Sequence, residues 1–408
     1  MTSSHPSYRN LYVAGAYNFF QMFLVIVPVL VPYWSSLGLT LSEILLIQSA
    51  FGISVAFFEI PTGYIADLWS RKISISAGAF LFGVSFSCMP FATSFNELLI
   101  LEVVLGLASA LSSGADTALV YDSLPTDVPR LKLLGNIHLF ALLGEALASI
   151  TAAILVLWSF SAVTYAQAIV GWLPFLLSLF FIEPSFERMS KSGHLNNCRE
   201  VFRFLFFDDS LVRLVFINGV IWGLSSFCIV WLQQAYWSQS GVPLSHFGYL
   251  WAVLMLIAAV CSRLTHSFER LVGAPSLLLL LATAPCLGYF FMGVGPTALG
   301  VFAGVLFYFN RGVASVILTD AFNWKIPARF RSTANSIRSL FFRLISSVMV
   351  PVIGLIVDNW GINVGLLSLG GFFTLLFFFA LLPLRTRINE LRVDYIPVGS
   401  ANTAQSDE

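Results

Sequence analysis

The sequence predicts an all-α membrane protein whose twelve transmembrane helices form two pseudo-symmetric six-helix bundles. Three observations lead to this prediction: the composition, the spacing of the apolar runs and a faint internal repeat. Hydrophobic residues make up 58% of the 408 residues and charged residues only 10%, and the mean hydropathy is +0.85. Since a water-soluble domain of this length needs a far more polar surface, we expect an integral membrane protein.

The apolar runs give the number of helices. About 20 apolar residues cross a bilayer core as a helix, and glycine, proline and charged residues divide the chain into twelve such runs. The predicted spans are 9–37, 41–66, 72–93, 97–123, 131–157, 161–183, 208–238, 244–267, 274–292, 296–322, 331–357 and 361–383. We predict an N-terminal six-helix bundle, a cytoplasmic central loop, a C-terminal six-helix bundle and a disordered cytoplasmic tail, at 1–183, 184–207, 208–384 and 385–408.

The distribution of lysine and arginine predicts the orientation. If the N-terminus is inside, no lysine or arginine falls in the outer turns, which lie near Ser35, Thr93, Ser159, Gln239, Gly293 and Asp358. The inner turns and the two ends hold nearly all of these residues, as the positive-inside rule requires. We therefore expect a multi-pass protein of the cytoplasmic (inner) membrane with both termini in the cytoplasm.

The chain also repeats itself at an offset of 199 residues, so that Asp67 and Arg71 project onto His266 and Arg270 at the inner ends of corresponding helices. Such parallel halves are related by an axis along the membrane normal, and their substrate site lies between the halves near the midplane.

Several classes of protein are not indicated. The net charge is zero, so no basic surface suggests nucleic-acid binding. The sequence contains no phosphate loop, no zinc-spaced Cys/His cluster and no nucleophile elbow, and we expect neither an enzyme nor a resident cofactor or metal. The five cysteines are scattered and mostly lie in apolar runs, which is typical of packing thiols. The first span is too long for a signal peptide, and we expect it to be retained.

Ionisable residues inside the spans are the first candidates for a functional site, because each costs about 2.5–3.5 kcal/mol to insert into a bilayer. Glu145 and Arg311 lie near the midplane of helices five and ten, with Arg343 close to it, Arg338 nearer the inner side and Glu102 nearer the outer side. Helices four and five belong to one half, and ten and eleven to the other. We therefore expect the two acids to face Arg311 and Arg343 across a central cavity.

Two interpretations of these charges stay open. Burial favours the neutral form of a carboxyl group and a nearby guanidinium favours the charged form, so a substrate that binds the arginine can release a proton from the glutamate. The alternative is that acids and arginines form permanent pairs that hold the helices together.

Further candidates for the cavity wall are polar or aromatic residues of helices one, seven and ten: Asn18, Gln21, Asn218, Trp222, Tyr308 and Asn310. Hydrogen bonding between helices is the alternative for the amides.

The turn between helices two and three carries a resemblance to a known family. Gly63, Asp67, Arg71 and Lys72 stand at the spacing of the corresponding loop in the major facilitator superfamily, although Leu68 replaces the usual Arg and Ser70 the usual Gly. The segment Ser113–Leu124 is similar to one found in bacterial members of the family.

The resemblance implies the fold of that family and transport by alternating access. It also implies a cytoplasmic latch between the halves, in which Asp67, Arg71 and Asp122 form a charge cluster and Asp67 meets the N-terminus of helix eleven. We place Glu59 in support of this latch, since it lies two turns before Asp67 on the same face. A solvated turn with incidental charges is the alternative.

We therefore predict a monomeric secondary transporter that exports a small organic solute, an anionic metabolite or a drug, and uses the proton gradient. Its other partners are membrane lipids. Uptake by proton symport is the second choice. Leu143–Ser149 lacks the proline of family antiporters, and Glu102, four residues before Gly106, stands where many proton-coupled members carry Arg, so the signature of an exporter is incomplete. A sensor or scaffold that moves no solute, and a lipid flippase, are further alternatives.

Overall fold

The computed structural model describes residues 6–68, 70–113, 115–123, 130–183, 194–327 and 330–393. Sixteen α-helices account for almost all of this part of the chain. They are α1 (Pro6–Gln21), α2 (Leu30–Ser36), α3 (Leu41–Leu68), α4 (Arg71–Cys88), α5 (Phe95–Ser112), α6 (Ala115–Ser123), α7 (Arg130–Leu155), α8 (Phe160–Val170), α9 (Leu173–Ser178), α10 (His194–Arg203), α11 (Ser210–Gln239), α12 (Leu244–Val272), α13 (Ala274–Gly293), α14 (Ala298–Lys325), α15 (Arg331–Trp360) and α16 (Ile362–Val393).

These helices follow the twelve predicted spans. Ten helical stretches among the described residues are long and apolar enough to cross a membrane, α7 has a shorter apolar run at Leu139–Leu155, and α1 and α2 together occupy the first span. Successive spans alternate in direction between two ends of the bundle. We call the end that holds Asp358 and the start of α3 the Asp358 end, and the end that holds the start of α4 the Arg71 end.

The first span is broken, where we predicted one run from 9 to 37. Residues 22–26 are not helical, and a single 3₁₀ turn, Val27–Val29, connects them to α2. Proline explains the position of the break, because its ring clashes with the carbonyl four residues earlier and it has no N–H to donate. Pro28 excludes regular helix at Leu24, and Pro32 is accommodated in the first turn of α2, where N–H groups have no helical partner.

Small and hydroxyl-bearing residues fix the packing around α5. A methyl group added at Gly106 would lie 2.5 Å from the Cβ of Ser54, so only glycine permits α3 to approach α5 this closely. Ser54 and Thr62 of α3 and Ser74 of α4 donate hydrogen bonds of 2.7–2.9 Å to carbonyl groups of α5. Small residues of α5 thus allow close packing of neighbouring helices, as is common between membrane helices.

The predicted central loop and tail contain more helix than expected. α10 lies inside the interval 184–207, and a π-helical turn, Phe204–Asp208, joins it to α11. Val201 and Leu205 are fully buried there, which anchors the segment on the C-terminal half. α16 continues to Val393, so the prediction of disorder is wrong for residues 385–393. Residues 394–408 lie outside the described part of the chain.

The two halves meet most closely at the Asp358 end, where α15 packs on α3 and α12 packs on α7. A methyl group at Gly354 would lie 2.7 Å from the Cα of Ser42, and Ser347 donates a hydrogen bond to the carbonyl of Ser49 at 3.3 Å. This contact closes the Asp358 end of the space between the halves.

Candidate functional site

A central cavity of about 610 Å³ lies between the halves. α11, α14 and α15 form most of its wall, and the N-terminal half contributes Val27 and Glu145. The cavity extends towards the Arg71 end, since Thr319, Asn335 and Arg338 also line it. Its charged lining residues among those described are Glu145, Arg311 and Arg338.

Glu145 and Arg311 line the same cavity, as the sequence predicts. The indole Nε1 of Trp251, on the opposite half, donates a hydrogen bond of 3.4 Å to Oε1 of Glu145. The guanidinium carbon of Arg311 lies 5.9 Å from the ring centroid of Tyr308. In the described part of the chain neither Glu145 nor Arg311 forms an ion pair within 4.0 Å. The permanent Glu–Arg pair is therefore not formed in this arrangement.

The second arginine that lines the central cavity is Arg338, whereas Arg343, which we expected there, lines a neighbouring space. The guanidinium of Arg338 lies 4.8 Å from the ring centroid of Phe322 and its Nη2 donates to Oγ1 of Thr319 at 3.5 Å. Five residues turn an α-helix by about 140° beyond a full turn, so Arg338 and Arg343 leave α15 on different sides. Both arginines are visible in the sequence as charges within a span, but the hydropathy pattern does not set the rotation of α15.

Arg343 instead lines a cavity of about 120 Å³ between α3 and α15, together with Gln48 and Ser347. Its Nε donates to Oγ of Ser339 at 3.4 Å, and Glu59 of α3 is the acid whose charge acts on it. Glu59, which we predicted to support the latch, thus lies close enough to Arg343 for its charge to act on it.

Glu102 and Gln21 line a third space, a pocket of about 240 Å³ formed mainly by the N-terminal half. Glu102 is 5% exposed and shares a side-chain hydrogen bond with Gln48. Val27 and Trp231 line both this pocket and the central cavity. The predicted meeting of Glu102 with the arginines across one cavity is thus wrong.

Two of the remaining candidates line the central cavity. Trp222 is buried and its Nε1 has no hydrogen-bond partner. Asn310 is fully buried and its side-chain amide donates to Oγ of Ser226 at 2.7 Å, while its Oδ1 accepts no hydrogen bond. Both side chains line the cavity, but these two atoms are themselves buried.

Three other candidates do not line any of these cavities. Asn218 is fully buried and donates to a carbonyl of α16 at 2.9 Å, so it joins two helices of the same half. Asn18 donates to the carbonyl of Ala14 in its own helix at 2.9 Å. Tyr308 lies behind Arg311, and its hydroxyl accepts a hydrogen bond of 2.9 Å from Gln233.

Sequence reasoning missed Gln234, which joins the halves at the break in the first span. Its Oε1 accepts from the N–H of Val31 and its Nε2 donates to the carbonyl of Val27, both at 3.0 Å. Gln167 accepts from the N–H of Ile26 at 3.4 Å. These side chains satisfy backbone groups that the prolines leave without helical partners, which a membrane interior requires. The signal in the sequence that could have identified these residues was glutamine on otherwise apolar helix faces.

Asp358 was also missed, because it falls in a predicted outer turn. Its two carboxylate oxygens accept from the N–H groups of Leu41 and Ser42, at 3.2 and 2.8 Å. These are first-turn amides of α3, so a negative charge on the C-terminal half caps the positive end of a helix in the N-terminal half. This contact and the Gln234 bridge lie at the same end of the bundle.

The sequence matches the model of the Major Facilitator Superfamily over residues 11–324. The chain is a member of this superfamily. It is accordingly a multi-pass membrane transporter and not an enzyme.

This superfamily member resembles two curated drug-resistance proteins over part of its length. It is 30% identical to the multidrug resistance protein MdtG of Rahnella sp. (strain Y9602) over 224 residues, 52% of this chain and 53% of MdtG. It is 31% identical to the quinolone resistance protein NorA of Staphylococcus aureus over 113 residues, 27% of this chain and 29% of NorA. The matches thus span about half of MdtG and under a third of NorA.

Solved structures of the superfamily share the whole fold. The nucleoside transporter NupG has a TM-score of 0.74 and 14% identity and covers 92% of this chain and 98% of its own. A bacterial homologue of the lysosomal transporter Spinster has a TM-score of 0.73 and 17% identity, with 95% and 99% covered. The twelve-helix, two-bundle fold of the superfamily is therefore confirmed.

The predicted cytoplasmic latch of this superfamily member falls largely outside the described side chains, which do not include those of Gly63, Asp67 and Asp122. Arg71 and Lys72 are described, and their N–H groups donate to the carboxylate of Glu183 at 3.0 and 2.8 Å. Glu183 therefore caps α4 from within the same half.

Ser70, which stands where the family has Gly, needs no positive φ in this chain. It is extended, with φ of −169°, and its Oγ caps α4 by accepting from the N–H of Ile73 at 3.2 Å.

Proposed function

We propose that this transporter moves a small organic anion across the cytoplasmic membrane by alternating access, together with a proton carried at Glu145. The observation that carries the proposal is the central cavity, where Arg311 and Arg338 share a wall with one carboxyl group and the charges are not locked in a pair. The transporter needs no resident cofactor for this cycle, and the proton gradient is the energy source.

The lining favours an anion with an aromatic or apolar body. Two guanidinium groups against one carboxyl leave an excess of positive charge, and guanidinium binds carboxylate or phosphate with two parallel hydrogen bonds. Trp222 and Trp251 supply flat apolar surface beside them.

The sign of the proton coupling follows from the charges. A bound anion adds a negative charge to the cavity that Glu145 lines, and a proton on Glu145 would offset a negative charge there. Binding of the anion and protonation of Glu145 therefore favour each other, which is the requirement for cotransport. Proton-coupled uptake therefore becomes the first candidate and export the second, whereas the sequence favoured export.

Export of a drug or metabolite is the second candidate, and the names of the relatives favour it. MdtG and NorA are resistance proteins, and MdtG matches 52% of this chain. For an anion exchanged against protons, the two ligands would have to compete, so binding would release a proton rather than take one up.

The closed Asp358 end faces the outside in this proposal, in agreement with the lysine and arginine distribution, and both termini are cytoplasmic. The solute then enters or leaves from the Arg71 end in the arrangement described. Opening the other end requires the contacts of Asp358 and Gln234 to break.

Calorimetric binding of 1-naphthalenesulfonate and its neutral sulfonamide to the detergent-purified protein tests the proposal. The sulfonate stands in for a carboxylate or phosphate and stays charged at every pH used. We expect the sulfonate to bind about 10-fold tighter than the sulfonamide, with the preference lost in Arg311→Gln and the sulfonamide unaffected. Proton uptake on binding, measured as the dependence of the enthalpy on buffer, would support cotransport, and proton release would support export. Equal affinity of both compounds would refute the anion site.

A further inference from the structure

The Glu102 pocket has no place in the proposed anion cycle. It is formed mainly by the N-terminal half beside the break in the first span, and aromatic and aliphatic side chains, among them Phe51, Phe82, Phe86 and Leu105, form most of its wall. The only ionisable lining residue among those described is Glu102. The charge preference of this pocket is therefore opposite to that of the central cavity.

Glu102 is in an unusual position for a structural acid. It is 5% exposed, its described partner is the neutral amide of Gln48, and it forms no ion pair within 4.0 Å in the described part of the chain. A buried carboxylate without a cation is costly, because its hydration is not replaced by an opposite charge. A structural acid would be expected to face packed side chains, whereas Glu102 faces a cavity.

Two further features of the pocket favour a cation. α1 ends at Gln21, which lines the pocket, and the C-terminal end of a helix carries partial negative charge. Phe51, Phe82 and Phe86 present aromatic rings, which attract a cation over their faces. These features belong to different helices and act in the same direction as Glu102.

The wall that the Glu102 pocket shares with the central cavity contains an indole N–H without a hydrogen-bond partner. Trp231 is 8% exposed, its indole Nε1 is buried and makes no hydrogen bond, and its side chain lines the pocket and the central cavity alike. Val27, in the 3₁₀ turn after the break, lines both spaces as well. Movement of Trp231 would join the two spaces.

We propose that the Glu102 pocket binds the ammonium group of a small apolar amine, at a site separate from the anion site of the central cavity. The carboxylate pairs with the ammonium, and the aromatic wall takes up the apolar body. At about 240 Å³ the pocket is smaller than a typical drug site of roughly 300–1,000 Å³, so an amine with a single ring is the size that fits.

The probe pair is 4-phenylbutylamine and 4-phenylbutan-1-ol, which differ in charge and hardly in shape. Their dissociation constants are measured by calorimetry on the full-length purified protein at pH 7.5. We expect the amine to bind about 10-fold tighter than the alcohol or more. Glu102→Gln should abolish this preference and leave the affinity for the alcohol unchanged, which also shows that the variant is folded and the pocket intact.

Two matched variants locate the site. Ser109→Ala removes a neutral polar group from the same pocket and should retain the preference for the amine. Glu145→Gln removes the carboxylate of the central cavity and should retain it too. Equal affinity of amine and alcohol in the unmodified protein, or a preference that survives Glu102→Gln, would overturn the proposal.

A preference lost in Glu145→Gln would place the amine in the central cavity and would also overturn it. If Glu102→Gln does not yield folded protein, Leu105→Trp fills the pocket instead. It should prevent binding of both probes, and retained binding would count against the pocket. The test of the proposed function uses different ligands and a variant of Arg311. A negative result with the amine therefore leaves the proposed anion site standing, and a negative result with the sulfonate leaves the amine site standing.

Discussion

Removal of the Asp358 carboxylate should open the end of the bundle that it closes. Asp358→Ala deletes two hydrogen bonds, of 3.2 and 2.8 Å, to the first-turn amides of α3, and with them the charge that caps this helix. Because the acid and the helix belong to different halves, the lost energy acts on the equilibrium between closed and open arrangements rather than on one half alone.

The magnitude follows from helix capping. Replacing an N-terminal cap by Ala costs about 0.5–2 kcal/mol, and a charge at a helix N-terminus is worth about 0.3–1 kcal/mol at the surface. Asp358 is exposed, so we take a total of about 1.4 kcal/mol, which is a 10-fold shift towards the open arrangement. Asp358→Asn keeps an acceptor but loses the charge and should give a smaller shift.

Hydrogen–deuterium exchange detects this shift at a distant contact. The N–H of Val31 is bonded to Gln234 of the other half, so its exchange reports whether the halves have separated at this end. We expect peptides that cover residues 27–34 to exchange about 10-fold faster in Asp358→Ala. Exchange at Leu41 and Ser42 will rise in any case, because their acceptor is gone.

Asn359→Ala is the matched control. The neighbouring Asn359 is exposed and its side chain donates to the carbonyl of Leu355 within its own helix, so the variant should leave both regions unchanged. If Asp358→Ala changes exchange only at the start of α3, Asp358 is a local cap and the reasoning is refuted.

Three more outcomes are expected. Arg338→Gln should weaken the binding of 1-naphthalenesulfonate about 10-fold. Arg343→Gln should leave the affinity for the sulfonate unchanged, because Arg338 lines the central cavity and Arg343 does not. The opposite ranking of the two variants would restore Arg343 as the second arginine of the site. Gln234→Leu leaves the N–H of Val31 and the carbonyl of Val27 without partners, at a cost of about 1–3 kcal/mol each. It should lower the unfolding temperature, whereas Gln239→Leu, at an exposed position, should not. Equal unfolding temperatures of the two variants would contradict the Gln234 bridge. Asp67→Asn should slow transport and leave binding of the sulfonate intact, and normal turnover would remove the latch assignment.

The helices could be predicted from the sequence because hydropathy decides them, but the break in the first span could not. Pro61, Pro285 and Pro351 lie inside continuous helices of the same chain. A proline breaks a membrane helix only where other side chains can take over the freed backbone groups, and at Pro28 these are supplied by glutamines more than 130 residues away in the chain. That partnership exists only in the folded protein.

The candidate site was predicted in part for a similar reason. Depth in the membrane follows from counting residues, and it correctly brought Glu145 and Arg311 into one cavity. The direction in which a side chain points depends on the rotation of its helix, which close contacts such as Gly354 against Ser42 determine. Arg343 was therefore expected in the central cavity but lines the neighbouring space between α3 and α15.

The most direct test of the central claim is the accumulation of 1-naphthalenesulfonate in proteoliposomes under an imposed pH gradient. The account predicts that the unmodified protein concentrates the sulfonate inside vesicles whose interior is more alkaline than the medium. In Glu145→Gln the sulfonate should only equilibrate. Equal accumulation in Glu145→Gln, or a protein that binds the sulfonate but does not move it, would contradict the claim that the central cavity couples solute movement to a proton at Glu145.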